Sequence, residues 1–310
     1  MSSPTFVASD PQSVSDYCTK MRGLQAASWQ SPLGAGMPFL LQFTCTRSEP
    51  SDDDMQCVRR SPPQLPYGET CEYALSRPLQ VGHDCNSQVW VASHTGQDYA
   101  DVVLKFIAPS GLPLPSEDPD MTAVYVEFGE YRYPEDVINR QVSAYLALAK
   151  FQGSTLPYFF GVQQAVMPWG EEASVLALEY LPGPPLSAVK DAVDSDPLTS
   201  KYRNFESYLA LAQSAFTTLR AAHRLHIYHR DLRERNVLVD ETNDFAVIID
   251  WHNDPRTIDV HEIEAQGDLY DIGCTFLRCD MHHEEMKKMY RRAYLDVFSC
   301  VYPYELEDGR

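Results

Sequence analysis

The chain has 310 residues, 44% of them hydrophobic, so it can bury a large core and a wholly disordered protein is excluded. Its 44 Asp and Glu against 25 Lys and Arg leave a formal net charge of −19, a field that repels nucleic-acid phosphates and anionic membranes. No nucleic-acid or membrane partner is therefore expected, and basic peptides or cationic small molecules are favoured.

Met1 to Gln12 lacks a cationic start followed by an apolar core, and Met37 to Leu41 is far too short to span a bilayer, so a cytoplasmic, intracellular protein is expected. Eight cysteines occur without a Cys-x-x-Cys pair. Reduced thiols suit that pattern better than zinc or disulfides. His282-His283-Glu284 does not have the His-Glu-x-x-His spacing of a zinc helix.

Residues 1–70 are rich in Ser, Pro, Asp and Gln, with an acidic run at Asp52-Asp53-Asp54, and show no sustained period; a loosely ordered extension is expected. From Tyr73 the pattern changes. Gln88 to Ala92 and Asp101 to Ile107 read as two strands of a hairpin, turned at Thr95-Gly96-Gln97-Asp98. Glu135 to Phe151 carries Val137, Ile138, Gln141, Ala144, Tyr145 and Leu148 at helical spacing.

Val175 to Tyr180 is an apolar strand ended by Leu181-Pro182-Gly183-Pro184-Pro185, which reads as a hinge because proline cannot donate to a continuing ladder. A long helix follows over Asn204 to Leu225, with Phe205, Leu209, Ala212, Phe216 and Leu219 on one face. Val237 to Val239 and Phe245 to Ile249 flank a turn-rich bridge, so they form a hairpin that holds Asn236 and Asp250 close together. Leu269 to Arg278 and Met281 to Phe298 are the last predicted helices.

The densest chemical signal is His229-Arg230-Asp231-Leu232-Arg233-Glu234-Arg235-Asn236, with Asp250 fourteen residues beyond Asn236. An acid that orients a hydroxyl, an amide oxygen five positions on and a carboxylate delivered by a strand are what magnesium-assisted transfer of the ATP γ-phosphoryl group requires.

With these residues in view, the segment from Leu79 to Gly273 resembles the protein-kinase-like superfamily, and especially its divergent fungal members. The resemblance implies an α+β, bilobal kinase-like fold: a small β-rich lobe over residues 71–180 and a mainly helical, shortened lobe over 181–310. It makes Asp231 the catalytic-loop aspartate, Arg233 a charge near the transferred group, and Asn236 and Asp250 the Mg2+ ligands. Lys105 becomes the strand lysine for the α- and β-phosphates of ATP, Gly82 the first glycine of the phosphate loop, and Glu179 and Tyr180 the adenine-facing hinge with Leu178 before them. Asp268 and His223 match residues that support the catalytic loop.

The chain departs from the family at several points. Asp84 and Ser87 stand at the second and third loop glycines, where a side chain obstructs the approach of backbone amides to phosphate. Gln141 replaces the helix glutamate and offers Lys105 one hydrogen bond without Coulombic attraction; Glu127 and Glu130 are the nearby acids. Ile248-Ile249-Asp250-Trp251 is similar to the aminoglycoside and choline phosphotransferases. Only seventeen residues separate Asp250 from Asp268, too few for a peptide-docking segment, and Thr257 is the one hydroxyl residue among them, so a phosphorylation switch there is not expected. The expectation is an ATP- and Mg2+-dependent phosphotransferase acting on a protein Ser/Thr or, alternatively, a small-molecule hydroxyl. A pseudokinase scaffold is the rival of a different class.

Overall fold

The computed structural model describes residues 6–44, 59–82, 85–116, 118–127, 131–195, 200–251 and 261–290. The chain divides into two units: Met1–Arg47 with Pro62–Val142 and Tyr158–Tyr180, and Ser48–Ser61 with Ser143–Pro157 and Leu181–Arg310. The class is α+β.

The first unit begins with a correction. Residues 11–30, expected to be loosely ordered, form helix α1 (Pro11–Gln30), capped by the Asp10 carboxylate accepting from Gln12 N at 3.0 Å. Val14, Tyr17, Cys18 and Met21 are its buried stripe. They pack with Phe6 against Tyr131 and Tyr133, with ring centroids 4.6 Å from Phe6 to Tyr17 and 4.9 Å to Tyr133. The stripe is short and diluted by Ser, Thr and Gln, so its period is weak; aromatic partners more than a hundred positions away stabilise it.

Strand β1 (Pro38–Gln42) also falls inside the supposed extension and pairs antiparallel with β2 (Thr70–Gln80). The sheet continues through β3 (Gln88–His94) and β4 (Val102–Ile107), then β5 (Phe159–Val166) and β6 (Glu172–Glu179), in the order β1-β2-β3-β4-β6-β5. The hairpin of β3 and β4 is present, with Val89 opposite Lys105 and Trp90 opposite Leu104. Its turn is held by His94 Nδ1, which accepts from Gly96 N and Gln97 N at 2.9 and 2.8 Å. The two edges approach one another, where Thr44 N donates to Phe160 O at 2.9 Å. Leu41, Phe43, Tyr73, Leu75, Leu104 and Val175 fill the core that the sheet curls around.

Helix α2 spans Pro119–Glu127 and α3 spans Pro134–Ala147, whose first turn carries Glu135 and Asp136 where the helix dipole favours anions. The predicted helix ends sooner than expected and passes into a 3-10 turn at Ala149–Phe151. The division between the units falls inside α3, after Val142.

In the second unit, α4 (Leu186–Ser195) precedes α5 (Phe205–His223), which Asn204 caps by accepting from Ser207 N at 3.1 Å. Its buried face is centred on Tyr208, Leu211, Ala215 and Leu219, so Phe205 and Leu209 lie at its margin and are only half-buried. The predicted hairpin forms as β7 (Val237–Asp240) and β8 (Phe245–Ile248), with Val237 opposite Ile248. Its turn is built on Asp240, whose Oδ1 accepts from Thr242 N and Asn243 N, and Arg60 pairs with the same carboxylate at 3.2 Å. Burial pushes the Asp240 carboxyl up, but hydrogen bonds from Asn243 and Arg60 outweigh it and hold it below the usual carboxylate range.

Helix α6 (His261–Leu277) starts earlier than Leu269, and a further helix covers 283–290; the rest of the predicted Met281 to Phe298 helix lies outside the described residues. Among the described residues no helix is long and apolar enough to cross a membrane.

The Pro-rich segment after β6 lies along β7: Val239 N donates to Pro184 O at 2.9 Å. A Cβ on Gly183 would stand 2.1 Å from Val239 O, a backbone atom that cannot rotate away. Gly183→Ala is accordingly expected to cost about 1–3 kcal/mol in a denaturant titration. A loss below about 0.5 kcal/mol, the range of neutral surface changes, would show that the segment yields freely.

Candidate active site

The loop between α5 and β7 carries Asp231, and the adjoining backbone explains its placement. Arg230 has φ 61°, the left-handed region that a non-glycine residue occupies at a cost of about 1–3 kcal/mol. Asp268 of α6 holds that geometry: His229 N and Arg230 N each donate to its carboxylate at 2.7 Å. His223 Nε2 lies 3.1 Å from the same group, which is 2% exposed and so strengthened by its low-dielectric setting. His229 completes the brace. Its Nδ1 accepts from Asp231 N at 3.3 Å, leaving Nε2 as the donor to Ile249 O at 2.8 Å.

The Asp231 carboxylate is engaged on one side only. Oδ2 meets the Arg233 guanidinium and, at 3.2 Å, Asn236 Nδ2; the same amide nitrogen donates to Asp231 O at 2.8 Å. Arg233 thus pairs with Asp231, a contact the sequence reading did not include. Because Nδ2 is the donor here, Asn236 presents Oδ1 as its acceptor.

Asp250 is adjacent, as the hairpin requires: Ile249 N donates to Asn236 O at 3.0 Å and Asp250 follows with φ 65°. Trp251 is fully buried, donates Nε1–H to Ile248 O at 2.9 Å and sets its ring edge-on to His229 at 5.1 Å. The Tyr145 hydroxyl lies against the backbone of Asp250 and Trp251; burial, and then the Asp250 carboxylate, push that phenol well above its ordinary pKa. The neighbourhood is negative: Asp271 is raised by burial and then by Asp268 and Asp231, which outweigh Arg278 and His229. Asp231, Arg233 and Asn236 are therefore brought together, and the backbone bond of Ile249 to Asn236 sets Asp250 next along the chain; Asp231, Asn236 and Asp250 carry hard oxygen donors of the kind a small divalent cation prefers. Among the described residues no group of three or more His, Cys, Asp and Glu side chains is arranged to hold a metal.

Two further supports carry no signal in the sequence. Lys190 of α4 is buried, forms an ion pair with Glu234 of the loop and donates to Thr275 O at 3.2 Å, joining α4, the loop and α6. Arg60 donates to Ser154 O at 2.7 Å and Leu156 O at 3.1 Å besides pairing with Asp240. A lone basic residue far away in sequence gives no periodic signal, so neither could be found from pattern alone.

The remaining candidates belong to the first unit. Lys105 is 8% exposed on β4, on the sheet face it shares with Val89. Gln141 is buried as its stripe demands, but its Oε1 accepts no hydrogen bond, so the expected bond from Lys105 to that oxygen is not made. Glu179 is buried and accepts from Tyr158 N at 3.1 Å, while Tyr180 receives Arg77 at 2.8 Å, so both side chains serve the sheet and its edge. Gly82 has φ 144°, a conformation that favours glycine. Glu127 is exposed at the end of α2. Asp84, Glu130 and Thr257 lie outside the described residues.

Among solved structures the chain is similar to the PK-1 kinase of Cydia pomonella granulovirus, at 15% identity over 67% of this chain and 70% of that one, with a TM-score of 0.45. No family model and no curated protein matches the chain.

Proposed function

We propose that this chain is an ATP-dependent phosphotransferase of the two-lobed protein-kinase-like architecture, transferring the γ-phosphoryl group to a hydroxyl. The observation that carries the reading is the Asp231 carboxylate, fixed on its Oδ2 side by Arg233 and Asn236, with Asn236 itself joined through its backbone to Ile249, the neighbour of Asp250. Oδ1 of Asp231 accepts the acceptor's hydroxyl proton as a hydrogen bond and aims its oxygen at the γ-phosphorus. The acceptor oxygen bonds to that phosphorus as the bond to the β,γ-bridging oxygen breaks, its proton passes to Asp231 and on to water, and ADP leaves. Asn236 Oδ1 and the Asp250 carboxylate would hold Mg2+; two protein donors suit an ion that keeps several waters and binds phosphate oxygens. Bound there, Mg2+ supplies charge neutralisation for the phosphates. Lys105 holds the α- and β-phosphates in this reading, Gly82 belongs to the loop that covers them, and the Glu179 and Tyr180 backbone meets adenine.

The acceptor is proposed to be protein Ser/Thr, on the strength of His229-Arg230-Asp231-Leu232-Arg233; a small hydroxylated amine is the alternative, on Ile249-Asp250-Trp251. Five cysteines among the described residues are not in disulfides, which fits an intracellular setting. A scaffold without turnover is the second reading, favoured by the unengaged Gln141 Oε1.

Magnesium-dependent nucleotide binding is the first test. At a hundred times its dissociation constant, Mg-ATP should stabilise the protein by about 2.7 kcal/mol in a thermal-shift titration. Chelation of the metal, or Asp250→Asn, should remove most of that shift. Absence of any shift at millimolar Mg-ATP sinks the nucleotide reading and leaves the scaffold.

A further inference from the structure

Asp250 sits on a strained backbone. Its φ of 65° lies in the left-handed region, which a non-glycine residue keeps only where its surroundings over-determine it. Strand β8, which delivers Asp250, is held along both edges. On the inner edge Ile249 N donates to Asn236 O at 3.0 Å; on the outer edge Ala246 N donates to Ser214 Oγ and Ile248 N to Thr155 O, each at 2.9 Å.

Thr155 belongs to a tight turn from Gly153 to Leu156, in which Gly153 has φ 78° and its N–H donates to Leu156 O at 2.9 Å. Arg60 grips that turn. Its backbone N–H donates to Gly153 O at 2.6 Å, its Nη1 to Ser154 O at 2.7 Å and its Nη2 to Leu156 O at 3.1 Å. The carbonyls on either side of Thr155 O are thereby held by one residue, while Thr155 O itself faces Ile248 N. The same guanidinium pairs with Asp240 at the turn end of the β7–β8 hairpin, 180 positions away along the chain. Only 14% of the Arg60 side chain is exposed, so its charge-assisted bonds are stronger than those of a surface arginine.

We infer that Arg60 is a positioning residue for Asp250, acting through the Gly153 to Leu156 turn and Ile248, and that it thereby sets the affinity of the site for a divalent cation. The inference rests on the phosphotransferase reading, in which Asp250 holds Mg2+. A guanidinium suits the role because its planar fork serves two carbonyls at once, whereas a lysine ammonium is a point charge on a flexible stem. A carboxylate released from its strained conformation binds an ion less tightly, because ordering it then becomes part of binding.

Amide exchange on the full chain without nucleotide tests the positioning itself. In Arg60→Ala the Ile248 amide should exchange about tenfold faster, while Leu211, buried in α5, keeps its protection and reports that the unit remains folded. Arg60→Lys keeps the charge beside Asp240 and should give a smaller increase, roughly threefold; it replaces the alanine variant should that fail to fold. Asp240→Asn removes the charge at the hairpin turn but leaves the carbonyls with Arg60, so Ile248 exchange should stay within about twofold. A magnesium chloride titration at fixed ATP, read by thermal shift, tests the consequence. Its midpoint should rise about three- to tenfold in Arg60→Ala, with ATP affinity at saturating magnesium within about twofold.

Unchanged Ile248 exchange in a folded Arg60 variant overturns the inference, whatever the nucleotide results. So does faster exchange with an unmoved magnesium midpoint, since Arg60 then holds the turn without reaching Asp250. An Asp240→Asn effect as large as that of Arg60→Ala overturns it too, because the hairpin turn would then be the route. No nucleotide-induced shift in the unsubstituted chain is the failure of the phosphotransferase reading, which removes the inference with it; the Ile248 measurement keeps the two failures apart.

Discussion

Asp231→Asn is expected to lower phosphoryl transfer by about 10²- to 10⁴-fold while the Mg-ATP stabilisation is retained. The substitution preserves size, and the neighbours that fix the side chain, Arg233 and Asn236 Nδ2, are both donors facing Oδ2. An amide can still accept from one of them, but it has neither the charge nor the second acceptor oxygen to orient an incoming hydroxyl. The kinetic signature follows from that division: kcat falls, and KM for ATP stays within about a factor of three, because a contact made mainly in the transition state has been removed. Asp231→Asn with undiminished turnover would refute the mechanism. If the unsubstituted chain binds Mg-ATP yet transfers nothing to hydroxylated peptides or hydroxylated amines, the scaffold reading replaces it.

The largest stability effect is expected at Asp268. Its carboxylate is 2% exposed and accepts from His229 N and Arg230 N, with His223 Nε2 also in reach. Asp268→Ala leaves His229 N, Arg230 N and His223 Nε2 without their acceptor and releases the brace on Arg230, whose φ of 61° is costly by itself. The expected loss is about 3–5 kcal/mol, the range for removing one partner of a buried charged network. It should be read from the denaturant midpoint and from faster amide exchange at His229 and Arg230. Asp268→Asn should fall between, since it keeps one acceptor oxygen. A loss under about 1 kcal/mol for the alanine variant would mean that contacts other than Asp268 hold the loop and the backbone of Arg230.

Asp268 also marks how far the chain could be read without coordinates. Elements whose stabilising contacts are local were legible: the β3–β4 hairpin with its Gly96 turn, the β7–β8 hairpin with Asp240 to Asp244, and the long helix α5 between Asn204 and His223 all form within a few residues of the expected bounds. Turn residues and a strong apolar period act over a handful of positions, so their signal lies in neighbouring letters. Helix α1 and strand β1 were missed because their stabilisation comes from partners remote in sequence, Tyr131 and Tyr133 for the one and β2 for the other. Propensity is a weak prior that tertiary contacts override.

The same distinction holds at the site. Spacing alone set Asn236 and Asp250 at the two ends of one hairpin, with Asp231 on the loop that leads into it, since the turn residues between the strands are local. It could not show that Arg233 turns onto Asp231, that Lys190 pairs with Glu234, that Gln141 Oε1 accepts nothing, or that Trp90 carries an unmatched N–H. Those are outcomes of side-chain packing and of hydrogen-bond competition among residues tens to hundreds of positions apart. The order of residues along the chain determined which chemical groups and local turns are present, whereas burial and long-range pairing decided which of those groups have partners.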